Sequence, residues 1–593
     1  MRVLGIGDHV VSGAALVEDG CLVAAVNEER LVRRKMVMGF PWKSIESVLE
    51  MGGVQPGELD AVAVASHWGH FLPEYVDFGD GAFGVDEGAV RGAFFDLGST
   101  LAPLRAKLPF LETLYYGLRR PLFARRRSAI RRVLRERYGI TCPVEFVWHH
   151  FAHAAAAYHA SGLHDALGVT LDASGDGHSS HVYDFREGGW SYTHGVPAFD
   201  SLGVYYAYVT QICGFKAGRH EGKITGLAAY GTPAYRDVLE RFIRYEDGSM
   251  ANVANAFRQG AMKKLRAALP KDVKREDLAA SIQDHTEDIA VRYVSHWLRQ
   301  TGQRRVVLAG GVAANVKVNQ RIHEIPGVEE VFVYPAMSDE GLPAGAALAE
   351  CARLAPESMR PGSRCLDHVY LGPEFSRQEM LRALDAAGVD YSEPANLEAN
   401  VARRLADGYV VARFAGRMEY GPRALGNRSI LYRPDDPAVN DWLNERLSRT
   451  EFMPFAPVTL AEHADDSFEC LDGARDAARF MTIAFDGTPT MQKQCPGVVH
   501  IDGTARPQVL SQADNPSYYR TLDEFHRITG IPSLVNTSFN LHEEPIVCTP
   551  EDAIRAFQIG HLDMLAMGPF LAVHARAGER GTGEGHAPGS GGS

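Results

Sequence analysis

No apolar run in the 593-residue chain approaches the ~20 residues that cross a bilayer. The start, Met1-Arg-Val-Leu-Gly-Ile-Gly7, lacks the apolar length of a signal peptide and reads as a strand entering a glycine loop. Cysteine is sparse. The eight are scattered with no Cys-x-x-Cys pair, which argues against both a disulfide framework and a zinc ribbon. An excess of positive charge is missing as well: the formal net charge of −13 argues against a general nucleic-acid binder. What remains is the composition of an ordinary globular protein, too long for one core. Two large domains in a cytoplasmic enzyme are expected.

The most informative feature present is a pair of histidines one helical turn apart, His149 and His153. Residues at i and i+4 share a helix face, so both imidazoles can address one ion. The Ala-rich run Val147–Tyr158 predicts that helix, and Leu167-Gly-Val-Thr-Leu-Asp172 predicts a buried strand delivering a carboxylate. A second strand is expected to deliver Asp339. Mixed nitrogen and oxygen donors suit iron, zinc or manganese better than calcium.

The N-terminal part repeats a unit. Val3–Gly7, a glycine loop, Ala14–Gly20 and Leu22–Val26 predict a strand followed by a hairpin, with Asp19-Gly20 as its turn. The unit recurs at Leu167, with loop Asp172–Gly177, strand His181–Phe185 and a turn at Glu187–Gly189. Two such units, each followed by helices, predict a duplicated fold of the actin/hexokinase type. Two further glycine loops, Gly310–Asn315 and Ser338–Gly345, follow strands Arg305–Ala309 and Val331–Tyr334 and open helices. Such junctions let backbone N–H groups approach a phosphate, although each is equally readable as a tight turn. The stretch Arg119–Arg137 carries nine arginines, readable as a solvated helix face or as a patch for an anionic acceptor. A Pro-, Ser- and Gly-rich segment, Ala355–Arg364, reads as a linker. It separates residues 1–354 from a second α/β domain at 365–575, marked by helix Leu397–Gly408, strand Tyr409–Phe414 and the motif Gly416–Ser429. The Gly-rich tail at 576–593 is expected to be disordered.

These motifs, with Glu28-Glu-Arg30, Glu221–Gly231, Pro454-Phe-Ala-Pro457, His500–Arg506 and Asn536-Thr-Ser-Phe-Asn540, make the chain resemble the NodU/CmcH family of O-carbamoyltransferases over about residues 1–575. The resemblance implies an N-terminal Kae-type domain of the actin/hexokinase fold and a C-terminal YrdC-like α/β domain. It implies two steps: the C-terminal domain joins carbamoyl phosphate to ATP, giving carbamoyl adenylate and pyrophosphate, and the N-terminal domain moves the carbamoyl group to an acceptor hydroxyl, releasing AMP. It implies a metal at His149, His153, Asp172 and Asp339, Fe²⁺ first and Mn²⁺ or Zn²⁺ as alternatives, with Mg²⁺ accompanying ATP. The acceptor is expected to be a sugar or other small natural product, and a homodimer is possible.

Within that frame His9 is the candidate general base, assisted by Asp8 and Asp176. Lys223, Gly310, Gly311 and Asn315 are candidate contacts to the nucleotide. Arg417, Arg423, Arg428, Arg449 and Arg506 supply planar cationic forks for two anions, and Asn536, Thr537, Ser538 and Asn540 supply further donors. The chain departs from the family pattern in places. The first loop reads Gly7-Asp-His-Val-Val-Ser-Gly-Ala14, shifting its histidine by one residue. Ser448 and Met453 stand where Lys and Arg are common, with Arg446 and Arg449 as potential replacements. Glu543 stands where Gly is usual. Two other classes stay open: a kinase or ATPase on the same fold, and a tRNA-linked threonylcarbamoyl-type enzyme.

Overall fold

The computed structural model describes residues 1–77, 109–447 and 452–574. Arg449 and the expected disordered tail lie outside the described residues.

The first sheet is built from β1 (Arg2–Gly7), β2 (Gly13–Glu18), β3 (Cys21–Asn27), β4 (Ala61–Ala65) and β5 (Val144–Val147), in the order β3-β2-β1-β4-β5. β1, β2 and β3 form an antiparallel meander, while β4 and β5 run parallel to β1. The second sheet repeats this plan with β6 (Ala166–Gly175), β7 (His178–Arg186), β8 (Gly189–Pro197), β9 (Arg305–Ala309) and β10 (Glu330–Val333), ordered β8-β7-β6-β9-β10. The same residue chemistry closes both hairpins. Asp19-Gly20 and Glu187-Gly188 each place two consecutive residues at positive φ, the backbone that two-residue turns between twisted strands require. This duplicated topology is the actin/hexokinase type.

The third sheet is mixed and has eight strands: β11 (Tyr391–Ser392), β12 (Val411–Phe414), β13 (Arg428–Tyr432), β14 (Ala456–Leu460), β15 (Gln508–Leu510), β16 (Ser533–Ser538), β17 (Met564–Met567) and β18 (Phe570–Val573). Its order is β11-β18-β17-β12-β13-β16-β14-β15. Segment 355–364 contains a 3₁₀ turn at Pro356–Ser358 that packs on the first hairpin. Beyond it the chain runs along β3, where Leu22 and Ala25 N–H donate to Cys365 and Leu371 carbonyls at 3.2 and 3.1 Å. One buried apolar cluster runs from Val306, Leu308 and Val333 of the second sheet to Phe485, Val498 and Ala505.

The helices used below are α1 (Glu28–Val32), α2 (Pro109–Tyr138), α3 (His149–Ser161), α4 (Glu221–Ala228), α5 (Arg275–Thr301), α6 (Val316–His323), α7 (Leu342–Leu354) and α8 (Pro550–Ile559). α3 and α7 carry the inter-sheet core, and both are alanine-rich where they meet. Small side chains let the backbones touch. A Cβ on Gly345 would lie 1.9 Å from the Ala152 carbonyl oxygen, and one on Gly5 would lie 1.9 Å from that of Pro343. α3 starts at His149, two residues later than the composition suggested, because Val144–Val147 is claimed by β5. Asp339 does not end a strand: β10 stops at Val333, and Asp339 opens a 3₁₀ turn leading into α7.

Candidate active site

Four side chains from three elements converge between the two sheets. His149 and His153 come from the first turns of α3, Asp172 from β6, and Asp339 from the turn before α7. One ligand atom from each lies within 4.8 Å of all the others. His149 Nε2 is 3.1 Å from Asp172 Oδ2 and 3.6 Å from Asp339 Oδ1. His153 Nε2 is 3.3 and 3.6 Å from the same two oxygens. The second nitrogen of His149 is held by Ser66 Oγ at 3.2 Å, which orients the ring as a supporting hydrogen bond does for a metal ligand. Ser66 sits at φ 73°, a costly backbone for serine at a functional position. Burial pulls the His153 imidazole down, but Asp172 and Asp339 outweigh it and push it up to about 9. The two carboxylates therefore demand positive charge between them. His153 Nε2 is also buried without a hydrogen bond of acceptable geometry. Two imidazoles, two carboxylates and an orphaned buried nitrogen fit a borderline divalent cation. Gly311 keeps the place open, since a Cβ there would meet Asp172 Oδ1 at 3.1 Å.

The exposed side of this cluster is Asp339, whose side chain is 19% exposed, and His9 of the first glycine loop is near enough to feel the charges of Asp339 and His149. His9 stands there 23% exposed, its Nε2 3.9 Å from Asp8 Oδ1. That nitrogen makes no hydrogen bond among the described residues. Burial lowers the His9 imidazole from its ordinary range, so it is neutral at pH 7 and able to accept a proton. Asp8 is not open in the same way. Its carboxylate is fully buried and clasped by Arg126, with Nε at 3.0 Å and Nη2 at 2.5 Å. Arg126 also donates to the carbonyls of Ala65 and Ser66. Asp176 is engaged too: its two oxygens accept the N–H groups of His67, Trp68 and His149 at 3.0, 2.8 and 2.9 Å. It caps α3 from a neighbouring loop, a positioning task.

The arginine-rich helix therefore mixes two populations. Arg120, Arg125, Arg132 and Arg135 are exposed, whereas Arg126 is fully buried. The sequence carried a signal for this. Arg126 lies on the apolar stripe Phe123, Ile130 and Leu134, so its face points inward.

A cavity of about 250 Å³ opens between the halves of the chain. α4 contributes Thr225 and Ala228, α5 Gln283 and Glu287, and α6 Lys317 and Arg321. From the C-terminal side come Met453–Phe455, His500, Asp502 and Arg506. Lys317 and Asp502 pair across it at 3.1 Å. Asn315 does not face this space with a free amide. It caps α6 through Lys317 and Val318 N–H and exchanges two hydrogen bonds with Gln283. Gly310, at φ 97°, turns the chain where a Cβ would strike Leu171 O at 2.3 Å. The Gly310–Asn315 loop thus touches the four-residue cluster at one end and the cavity wall at the other. Lys223 is buried on α4.

The C-terminal candidates divide. Arg506 lines the cavity, and Arg423 is half-buried in the loop before β13. Arg417 and Arg428 do not present free forks for an anion. Arg417 donates to the carbonyls of Gly372, Leu371 and Val23, tying this half to β3. Arg428 is fully buried, donates to Ala415, Gly416 and Pro373 carbonyls, and lies 3.8 Å over the Phe414 ring. Burial lowers its guanidinium to about 10. Arg446 pairs with Asp563 at 2.8 Å. Asn536 is buried against Ala424 O and Gln508, Ser538 Oγ donates to Asn540 Oδ1, and Thr537 lies beside them on β16. Ser66, Gln283 and Lys317 were not singled out from sequence, and nothing in their spacing marks them; Arg126 was read only within the basic stretch and Asp502 only within the motif His500–Arg506.

A family model described as "Carbamoyltransferase N-terminus" matches residues 2–348, and one described as "Carbamoyltransferase C-terminus" matches residues 402–574. The chain belongs to the carbamoyltransferase family. Nodulation protein NolNO of Sinorhizobium fredii is 32% identical over 94% of this chain and 78% of the relative. Nodulation protein U of Rhizobium tropici is 33% identical over 52% of this chain and 51% of its own. An uncharacterized protein of Synechocystis is 32% identical over 98% of both chains. This carbamoyltransferase is an enzyme whose two family segments meet at the cavity. None of its described helices is long and apolar enough to cross a membrane.

Proposed function

We propose that this carbamoyltransferase is ATP-dependent and acts on a hydroxyl of a small sugar or natural-product acceptor. The C-terminal half, with Arg423 and Arg506 and the donors Thr537 and Ser538, joins carbamoyl phosphate to Mg²⁺-bound ATP. Water first cleaves carbamoyl phosphate to carbamate and inorganic phosphate; a carbamate oxygen then attacks the α-phosphorus of ATP, the bond to the β-phosphate oxygen breaks, pyrophosphate leaves and carbamoyl adenylate remains. The nucleotide part lies along Lys223 and the Gly310–Asn315 loop, whose glycines let the backbone approach a phosphate. His149, His153, Asp172 and Asp339 hold a divalent metal, Fe²⁺ by resemblance and Mn²⁺ or Zn²⁺ by donor chemistry. When bound, such a cation supplies Lewis-acid polarisation of an oxygen. His9 takes the acceptor's hydroxyl proton at Nε2 as that oxygen attacks the carbamoyl carbon, and AMP leaves. Asp8, neutralised by Arg126, and Asp176, spent on three amides, position this chemistry and exchange no proton.

The observation that carries the reading is a buried His9 Nε2 with no hydrogen bond among the described residues, in a chain that gathers four donor side chains and whose family transfers carbamoyl groups. A kinase on this fold transfers a γ-phosphate and needs no carbamoyl phosphate. Incubation with ATP and carbamoyl phosphate separates the two. Pyrophosphate release that requires carbamoyl phosphate, followed by a carbamoyl mass gain on an acceptor, supports the proposal. ADP and a phosphorylated product would replace it with the kinase.

A further inference from the structure

Glu543 occupies a backbone position that disfavours it. Its φ is 60°, a conformation unfavourable to a non-glycine residue that survives where surrounding contacts over-determine it. The contacts here come from the other half of the chain. Glu543 Oε2 is 2.7 Å from Arg219 Nη2, and Oε1 is 3.1 Å from His220 Nε2. The same Arg219 nitrogen reaches the Glu543 main-chain carbonyl at 3.4 Å. Arg219 and His220 are 17% and 15% exposed, so these pairs are partly shielded from water. Burial pushes the Glu543 carboxyl up, but Arg219 and His220 outweigh it and hold it below its ordinary range. Lys35 adds positive charge to the same place.

The two partners sit at the very start of α4. His220 is its N-cap residue, and the helix goes on to Lys223, then to Thr225 and Ala228 in the cavity wall. Glu543 itself lies in the loop after β16, on which Thr537 and Ser538 stand. That loop is fastened on its far side as well. Arg33, just past α1, donates to Pro545 and Ile546 carbonyls at 2.8 and 2.6 Å. Residues 540–546 of the C-terminal half are therefore gripped at two points by cations of the N-terminal half. The grip at Glu543 is bought with backbone strain.

We propose that Glu543 is a positioning residue that straps the 540–546 loop across the junction of the two halves and limits water access to an intermediate formed there. The second clause rests on the proposed function. Carbamoyl adenylate is a mixed anhydride. When water attacks its carbamoyl carbon, the bond to the phosphate oxygen breaks, AMP leaves, and the carbamate decomposes to ammonia and carbon dioxide. A strap that keeps water out suppresses this acceptor-independent release of AMP.

The test uses the full chain carrying Glu543→Gly, Glu543→Gln and Arg219→Gln, and the charge-swapped pair Glu543→Arg with Arg219→Glu. Hydrogen exchange reads the strap without any activity. Amides of 540–546 and 216–220 should exchange about tenfold faster in the single variants and recover in the swapped pair. Glu543→Gly is the decisive case. Glycine relieves the strained φ, so a residue with no strapping role would leave exchange unchanged or slower, and that result overturns the proposal. The second measurement is AMP formed from ATP and carbamoyl phosphate with no acceptor present. Its steady-state rate per enzyme should rise about fivefold or more in the single variants. Faster exchange with an unchanged rate of acceptor-independent AMP formation would overturn the water-excluding role. Wild-type protein that makes no pyrophosphate would instead refute the proposed function, while exchange still decides the strap.

Discussion

At the scale of single residues, the site is set by which charges are spent and which are left available. His9 keeps a neutral, uncommitted nitrogen, whereas the neighbouring Asp8 is locked to Arg126. Replacing His9 with Ala should leave pyrophosphate release intact and slow carbamoyl transfer by about 10²–10⁴-fold, the usual worth of a general base. Parallel assays of the two steps would show this, and equal loss in both would remove His9 from that role. Arg126 makes a different prediction. Removing one partner of a buried ion pair strands the other charge, so Arg126→Ala should cost about 3–5 kcal/mol of stability. Exposed Arg125→Ala, one residue away, should stay within about 0.5 kcal/mol. Thermal unfolding of the two variants side by side checks the contrast.

At the scale of elements, the four-residue cluster depends on how closely α3 and α7 approach. Gly345 touches the Ala152 carbonyl, and His149 and His153 flank that alanine on α3. Gly345→Val has no room for its side chain and should push α7, with Asp339 ahead of it, away from the histidines. The expected result is protein that folds with much reduced metal, measured by elemental analysis after purification without chelator. The direct counterpart is His149→Ala with Asp339→Ala, which should also lose the ion. A metal content equal to wild type in that double variant would refute the assigned ligands.

At the scale of the whole molecule, the two family segments are not independent bodies joined by a tether. They share one apolar cluster, and Lys317–Asp502 bridges the cavity between them. Calorimetry should therefore show one cooperative transition, with calorimetric and van't Hoff enthalpies close to each other. Two separated transitions would contradict a common core. Chelation should lower that single midpoint, because an ion bound to the folded state alone stabilises all of it. Arg506→Ala should abolish pyrophosphate release without changing metal content, since the cavity and the cluster are distinct.

The duplicated strand-and-hairpin plan was readable along the chain because it depends on local chemistry. Short continuous apolar runs and paired turn residues at positive φ act within a few positions. Three of the four clustered donors were readable for a similar reason: helical spacing sets the two histidines, and Asp172 ends a buried run, whereas Asp339 was expected at a strand end and stands in a 3₁₀ turn. The family resemblance extended this to the paired segments. What the order of residues left undecided was the fate of each charged side chain. Arg417 and Arg428 sit in motifs that suggest anion binding, yet they spend their donors on backbone carbonyls of a loop and a distant strand. Asp176, expected to orient or assist, accepts three backbone amides, partners that its place in the sequence did not show. A long cationic or anionic side chain reaches several ångströms in any direction. Its partners come from segments far away in sequence, so only the packed chain decides whether a charge is left free for chemistry or consumed in holding the site.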